Sequence, residues 1–99
     1  MIKVVFTYTT KNEHLPALMD KFNASKDPKF NSDVTNTGIR MYKQSNDTTT
    51  TIVLDIFYNT IADYEARTAF ERSQADWHAI WFADDIKHTL ESVEIYECI

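Results

Sequence analysis

The sequence predicts an α+β fold in which one four-stranded antiparallel sheet carries its helices on a single face. Three observations point there. Four segments alternate apolar and polar residues with the two-residue period of a strand. Two others space their apolar residues by threes and fours, or run without a breaker between helix-start signals. The segments follow one another as strand, helix, strand, strand, helix, strand.

Ile2, Val4, Phe6 and Tyr8 alternate mostly with Lys and Thr, a half-buried strand interrupted only by Val5. Asn12 is placed to cap a first helix, and Pro16 falls within its first turn, where a missing N–H costs little. Leu15, Leu18, Met19 and Phe22 then form one apolar stripe, so this helix buries a single face. Residues 23–37 are polar and contain Pro28, which predicts a long surface loop anchored by Phe30 and Val34. Gly38, the only glycine, opens a second strand over Ile39 to Lys43, with Ile39 and Met41 on one face and Arg40 and Tyr42 on the other. Ser45-Asn46-Asp47 predicts a hairpin turn, since Asn and Asp tolerate left-handed backbone.

The third strand runs from Thr51 to Tyr58. Thr60 followed by Asp63 is a helix-start signature, and Ile61 to Arg72 has no breaker. Ser73 with Asp76 repeats the signature, which predicts a bend near Ser73 and a second helical stretch to about Leu90. Val93, Ile95 and Ile99 make a closing strand, with Glu94, Tyr96 and Cys98 opposite. The order βαββαβ is the ferredoxin-like split unit. At 99 residues it forms one domain, 1–99, with a single core.

The third strand is apolar on both sides: Ile52, Leu54, Ile56 and Tyr58 on one, Val53 and Phe57 flanking Asp55 on the other. The helices cover the first set. The second shares its face with Val5, Thr7, Arg40, Tyr42, Tyr96 and Cys98, and Arg40 is placed to pair with Asp55 across the strands. Leaving such apolar side chains wet forfeits roughly 1.5–3 kcal/mol apiece relative to burial. Because symmetric dimers are the commonest soluble assembly, a homodimer through the open sheet face is expected. A monomer whose greasy face is tempered by Thr and Lys is the alternative.

A net charge of −5 works against nucleic acid and anionic membranes as partners, since both require a cationic patch. No N-terminal signal pattern is present, and no stretch approaches the roughly 20 apolar residues of a membrane span. The single cysteine, Cys98, closes no intramolecular disulfide and builds no cysteine-based metal site, so a cytoplasmic location is expected. The triplets Asn23-Ala24-Ser25 and Asn46-Asp47-Thr48 then read as chance matches to a glycosylation signal. The three His lack metal-ligand spacing, one glycine cannot build a phosphate loop, and no nucleophile elbow occurs. Neither a metal nor a cofactor is expected.

Tyr64-Glu65-Ala66-Arg67 followed by Ser73-Gln74-Ala75-Asp76-Trp77, set in this element order, resembles the dimeric α/β-barrel proteins. Within them the chain is most similar to the NIPSNAP and antibiotic-biosynthesis-monooxygenase branches. The likeness in element order spans the chain; its sequence-specific part covers about Tyr64 to Trp81. The resemblance implies two sheets packed face to face and a ligand site between the sheet and helices of each protomer. It also implies a choice of activities, among them cofactor-independent oxygenation and isomerisation, or none. The haem-degrading members resemble one another in a first-strand Asn. This chain has Thr7, Tyr8 and Thr9 there, which places haem degradation in doubt.

Trp77, Trp81, Asp84 and His88 fall at i, i+4, i+7 and i+11, one stripe if the helix is continuous, and Phe70 extends it. The stripe admits two readings. It can wall a pocket for a small apolar or aromatic ligand, with Asp84 orienting His88 as a base. Equally, Phe70, Trp77 and Ile80 can be plain core, with Asp84 and His88 an exposed pair. His78 neighbours Trp81 around the helix, and Tyr8 and His14 approach the same end of the first strand. The catalytic candidates are therefore His78 and His88, with Tyr8, Trp77 and Trp81 shaping the site. The expected activity is cofactor-free oxygenation or isomerisation of a small aromatic or polyketide-like molecule. The alternative is a non-catalytic ligand-binding or interaction module in which these residues only pack.

Overall fold

The computed structural model describes residues 1–99. Four strands, β1 (Ile2–Lys11), β2 (Gly38–Ser45), β3 (Thr49–Tyr58) and β4 (His88–Glu97), form one sheet in the order β2-β3-β1-β4. Every neighbouring pair is antiparallel. Three helices, α1 (Leu15–Ala24), α2 (Ile61–Arg72) and α3 (Ala75–Trp81), lie on one face. This is the split βαβ arrangement: α1 carries the chain from β1 past β3 to β2, and α2 with α3 carries it from β3 past β1 to β4. The two-layer slab measures 38 × 34 × 18 Å.

Alternation sorts the central strands as expected. Ile2, Val4 and Tyr8 of β1 and Ile52, Leu54 and Tyr58 of β3 are buried beneath the helices. Leu18 and Phe22 of α1 are buried against Tyr8, Ile52 and Leu54, with Leu15 and Met19 packed beside them. The helical layer is narrower than the sheet. Ile39 and Met41 on β2, and Leu90, Val93 and Ile95 on β4, therefore stay exposed although they share the helical face. On the opposite face Val5, Val53 and Phe57 are half-buried, and Tyr42 and Tyr96 are exposed.

Several boundaries differ from the sequence expectation. β1 runs three residues past Tyr8, because Thr9, Thr10 and Lys11 pair with Thr51, Thr50 and Thr49. Asn12 does not cap α1; it begins a 3-10 turn (Asn12–His14) and ties that turn to the β2–β3 hairpin. Its side-chain amide donates to Asn46 O at 2.9 Å, and its carbonyl accepts from Thr50 Oγ1 at 2.6 Å. The hairpin uses no left-handed residue. Asn46 closes it instead with its side-chain oxygen, which accepts from the backbone N–H groups of Thr48 and Thr49 at 2.9 and 2.8 Å. Phe30 anchors the 25–37 segment as expected, only 1% exposed and edge-on to Trp77.

Thr60 caps α2, accepting from Asp63 N at 3.1 Å. Ser73 marks the expected break, but as the C-terminal cap of α2, donating to Phe70 O at 2.6 Å. The larger correction comes next. The expected helix to Leu90 stops at Trp81, and His88 is the first residue of β4. Thr10 and Thr9 of β1 pair with His88 and Thr89, and a third helical turn would have to give up that ladder. The stripe of Trp77, Trp81, Asp84 and His88 along one helix therefore does not exist.

Candidate functional site

His88 reaches the helical face by a route other than a helix. Thr7 pairs with Ser92 and Tyr8 with Leu90, so Glu91 is an extra residue in β4, a β-bulge. The bulge reverses the alternation: His88 and Leu90 join Val93 and Ile95 on the face that the helices cover. Glu91 is held outside the ladder by Thr9, whose hydroxyl donates to its carboxylate at 2.6 Å.

Once turned inward, His88 meets two aromatic rings. Its ring lies 5.7 Å from Tyr8 and 5.7 Å from Trp81, edge-on to both. Tyr8, Trp81 and Phe22 also pack on one another at 5.3 to 5.9 Å between centroids. Burial lowers the His88 pKa below its ordinary 6.5, and the positive charge of Lys21 lowers it further. The imidazole is therefore uncharged at neutral pH and able to accept a proton.

The open side of His88 faces a cleft of about 300 Å³ between α1 and the turn that precedes β4. His14, Asp20, Lys21, Asp85 and Lys87 supply its polar lining, and Ala17, Leu18, Ala24 and Ile80 its apolar lining. An adjoining depression shares His14 and Lys87 and is otherwise lined by Thr9, Thr10 and Lys11 at the end of β1, Thr49 of β3 and Thr89 of β4. Two contacts hold the cleft walls together. Lys21 Nζ donates to Ile80 O at 2.7 Å, bridging α1 and α3. Trp81 Nε1 donates to Ser25 Oγ at 2.8 Å, and Ser25 Oγ donates in turn to Lys21 O at 2.8 Å.

The structure gathers Tyr8, Trp81 and His88 into one cluster and leaves two other candidates apart from it. Trp77 stands edge-on to Phe30 at 5.2 Å and 6.3 Å from Trp81, packed between α3 and the 25–37 segment. His78 lies on the outer side of α3, its Nε2 at 2.6 Å from Arg72 O and its ring against Phe82 at 5.0 Å. It is not part of the cleft. Asp84 is exposed on the turn after α3 and makes no hydrogen bond to His88.

A second polar cluster escaped the sequence analysis. Arg67 is 9% exposed, donating from Nε to Glu71 Oε2 at 3.1 Å and from Nη1 to Ser32 Oγ at 3.2 Å. Its guanidinium also lies 5.5 Å from the Phe70 ring. Burial raises the Glu71 pKa above the usual carboxylate value, with the Arg67 hydrogen bond and charge opposing. Burial, and then the Glu71 carboxylate, push the hydroxyls of Tyr8 and Tyr58 up to about 12. Both tyrosines therefore stay protonated at neutral pH, able to donate but not to act as bases. The sequence signal was the i, i+4 spacing of Arg67 and Glu71, which by itself describes an ordinary surface pair. No three His, Cys, Asp or Glu side chains converge anywhere as metal ligands would.

Strand order, register and helix placement define an α+β domain of ferredoxin-like topology with a polar, histidine-containing cleft at one end of the sheet. No family model and no curated protein matches the chain. Among solved structures, the chain is similar to the solution structure of the C-terminal domain of the MgtC protein from Mycobacterium tuberculosis. The two share 13% identity at a TM-score of 0.33, over 97% of this chain and 86% of that one. So slight a likeness carries no weight for function, and the topology stands on the strand order alone. No helix is long and apolar enough to cross a membrane.

Proposed function

We propose that this chain is a homodimeric α/β-barrel protein of the NIPSNAP and antibiotic-biosynthesis-monooxygenase type. In this reading it binds a small aromatic or polyketide-like molecule at the cleft and removes a proton from it. One observation carries the reading: His88 is held uncharged beside Tyr8 and Trp81, at a cleft that also presents Lys21 and Lys87. A neutral imidazole accepts a proton from an acidic O–H or C–H, and Lys21 and Lys87, which share the lining with Asp20 and Asp85, are the groups able to pair with the phenolate or enolate that remains. Such an electron-rich anion can react directly with oxygen, or take its proton back at another carbon, which is isomerisation. Neither course calls for a cofactor.

The homodimer is supported by the open sheet face, where half-buried Val5, Val53 and Phe57 and exposed Tyr42 and Tyr96 lie opposite the helical layer. The exposed free thiol of Cys98 suits a reducing, cytoplasmic compartment.

A second reading has its own support. Tyr8, Phe22 and Trp81 pack against one another and do not line the cleft, as they would in a protein that only binds at its surface. Calorimetric titration with a panel of phenols and β-diketones, followed by oxygen uptake and product analysis, separates the two. The catalytic reading expects His88→Gln to keep binding and lose turnover. Binding without turnover in the unsubstituted protein favours the binding module, and no binding across the panel removes both.

A further inference from the structure

Strand register places the open face on a grid, and the grid has a complementary charge pattern. Gly38, Phe57, Lys3 and Tyr96 stand in one row across β2, β3, β1 and β4. Arg40, Asp55, Val5 and Glu94 stand in the next. A cation thus marks the β2 edge of the face and an anion the β4 edge. Between them Asp55 is already occupied: its carboxylate meets Lys3 Nζ at 4.0 Å, not Arg40. Arg40, expected to pair with Asp55, is exposed and has no ion-pair partner within its own chain. Glu94 is likewise exposed and accepts only from the Tyr96 hydroxyl, at 2.7 Å.

We infer that the face receives a second copy of this chain related by a two-fold axis parallel to the strands, so that Arg40 of each copy pairs with Glu94 of the other. This rests on the homodimer proposed above and goes further by assigning its orientation. A two-fold axis parallel to the strands exchanges left and right and keeps rows level. It therefore lays β2 of one copy over β4 of the other and brings the two charges together twice. A two-fold axis across the strands lays β2 over β2 and β4 over β4, which sets like charges edge to edge. Stacked sheets lie about 10 Å apart, a gap that an Arg and a Glu side chain bridge together, and the length of Arg absorbs the roughly 30° angle between aligned sheets. The same axis places bare Gly38 opposite Tyr96 of the other copy. A Cβ at Gly38 would meet nothing within 4 Å, so the exposed Tyr96 ring has room there. With Lys3 and Arg40 against Asp55 and Glu94, the charges in these two rows cancel, which suits association with an identical surface.

Sedimentation equilibrium on charge-swapped variants tests the orientation. Arg40→Glu and Glu94→Arg should each weaken dimerisation by about tenfold or more, and the double swap should restore it to near the unsubstituted value. Thiol cross-linking in a Cys98→Ser background gives an independent reading. With a short bis-thiol reagent, Arg40→Cys together with Glu94→Cys should link two chains, and Arg40→Cys alone should not. A dimer that the double swap fails to rescue, or that Arg40→Cys alone links, overturns this orientation and leaves the homodimer standing. A monomer at every concentration overturns the homodimer itself, and this inference with it.

Discussion

Leu90 and Val93 stand three residues apart in β4 and share one face of the sheet, because Glu91 between them bulges out of the ladder to meet Thr9. Three-residue spacing within a strand normally sends side chains to opposite faces. The bulge lets β4 keep Val93 and Ile95 in phase with β1 at one end and deliver His88 to the cleft at the other.

Deleting Glu91 should remove the bulge and join Leu90 directly to Ser92, leaving His88 opposite Thr10 and still inward beside Tyr8 and Trp81. The imidazole then keeps its buried site, and its pKa should stay below the ordinary 6.5. A proton NMR titration of the ring resonances reads this directly. A His88 that titrates at the ordinary value in the deletion variant would contradict the register assigned to β4.

The depressed His88 pKa also ties stability to pH. The unfolded chain binds a proton at His88 near the ordinary value, and the folded chain does so only at lower pH. Stability from this residue is thus fully present above about pH 6.5 and falls as pH drops from there through the folded pKa. Replacing His88 with Gln should flatten the stability profile between pH 7 and pH 5, as followed by urea unfolding at closely spaced pH values. An unchanged profile would exclude His88 as its source.

Arg67 and Glu71 form a mostly buried pair, so breaking it should cost more than deleting it. Arg67→Ala strands the Glu71 carboxylate in a poor environment and should destabilise by about 3–5 kcal/mol. Arg67→Met with Glu71→Leu should recover most of that loss, since no charge is left uncompensated. Chemical denaturation of the single and double variants gives both numbers, and additive losses would mean the two side chains act independently.

The bond from Trp81 Nε1 to Ser25 Oγ joins the end of α3 to the end of α1. Ser25→Ala should cost about 1 kcal/mol by leaving the indole N–H without its acceptor. In a chain that already carries Trp81→Phe, the same change should cost much less. A double-mutant cycle measured by thermal unfolding reports the difference, and a coupling near zero would mean that water replaces the serine.

Much of the architecture was legible locally. The period-two alternation in residues 2–8 and 51–58, the Leu15-Leu18-Met19-Phe22 stripe and the Thr60 cap act over a few residues, and each formed as expected. Because they depend on neighbours along the chain, the sequence by itself determined the four strands, their order along the chain and the face that the helices cover. Only the tertiary structure decided where α3 ends, which way His88 points and what Arg67 meets. Each depends on a partner far along the chain: β1 pairing with residues 88–97, Thr9 holding Glu91, and Ser32 meeting Arg67. Local spacing in residues 74–90 favoured one long helix, and it lost to a ladder of backbone hydrogen bonds with a strand about eighty residues away. The phase slip between Leu90 and Val93 was the one trace of that outcome in the sequence, and it acquires meaning only once β4 is laid beside β1.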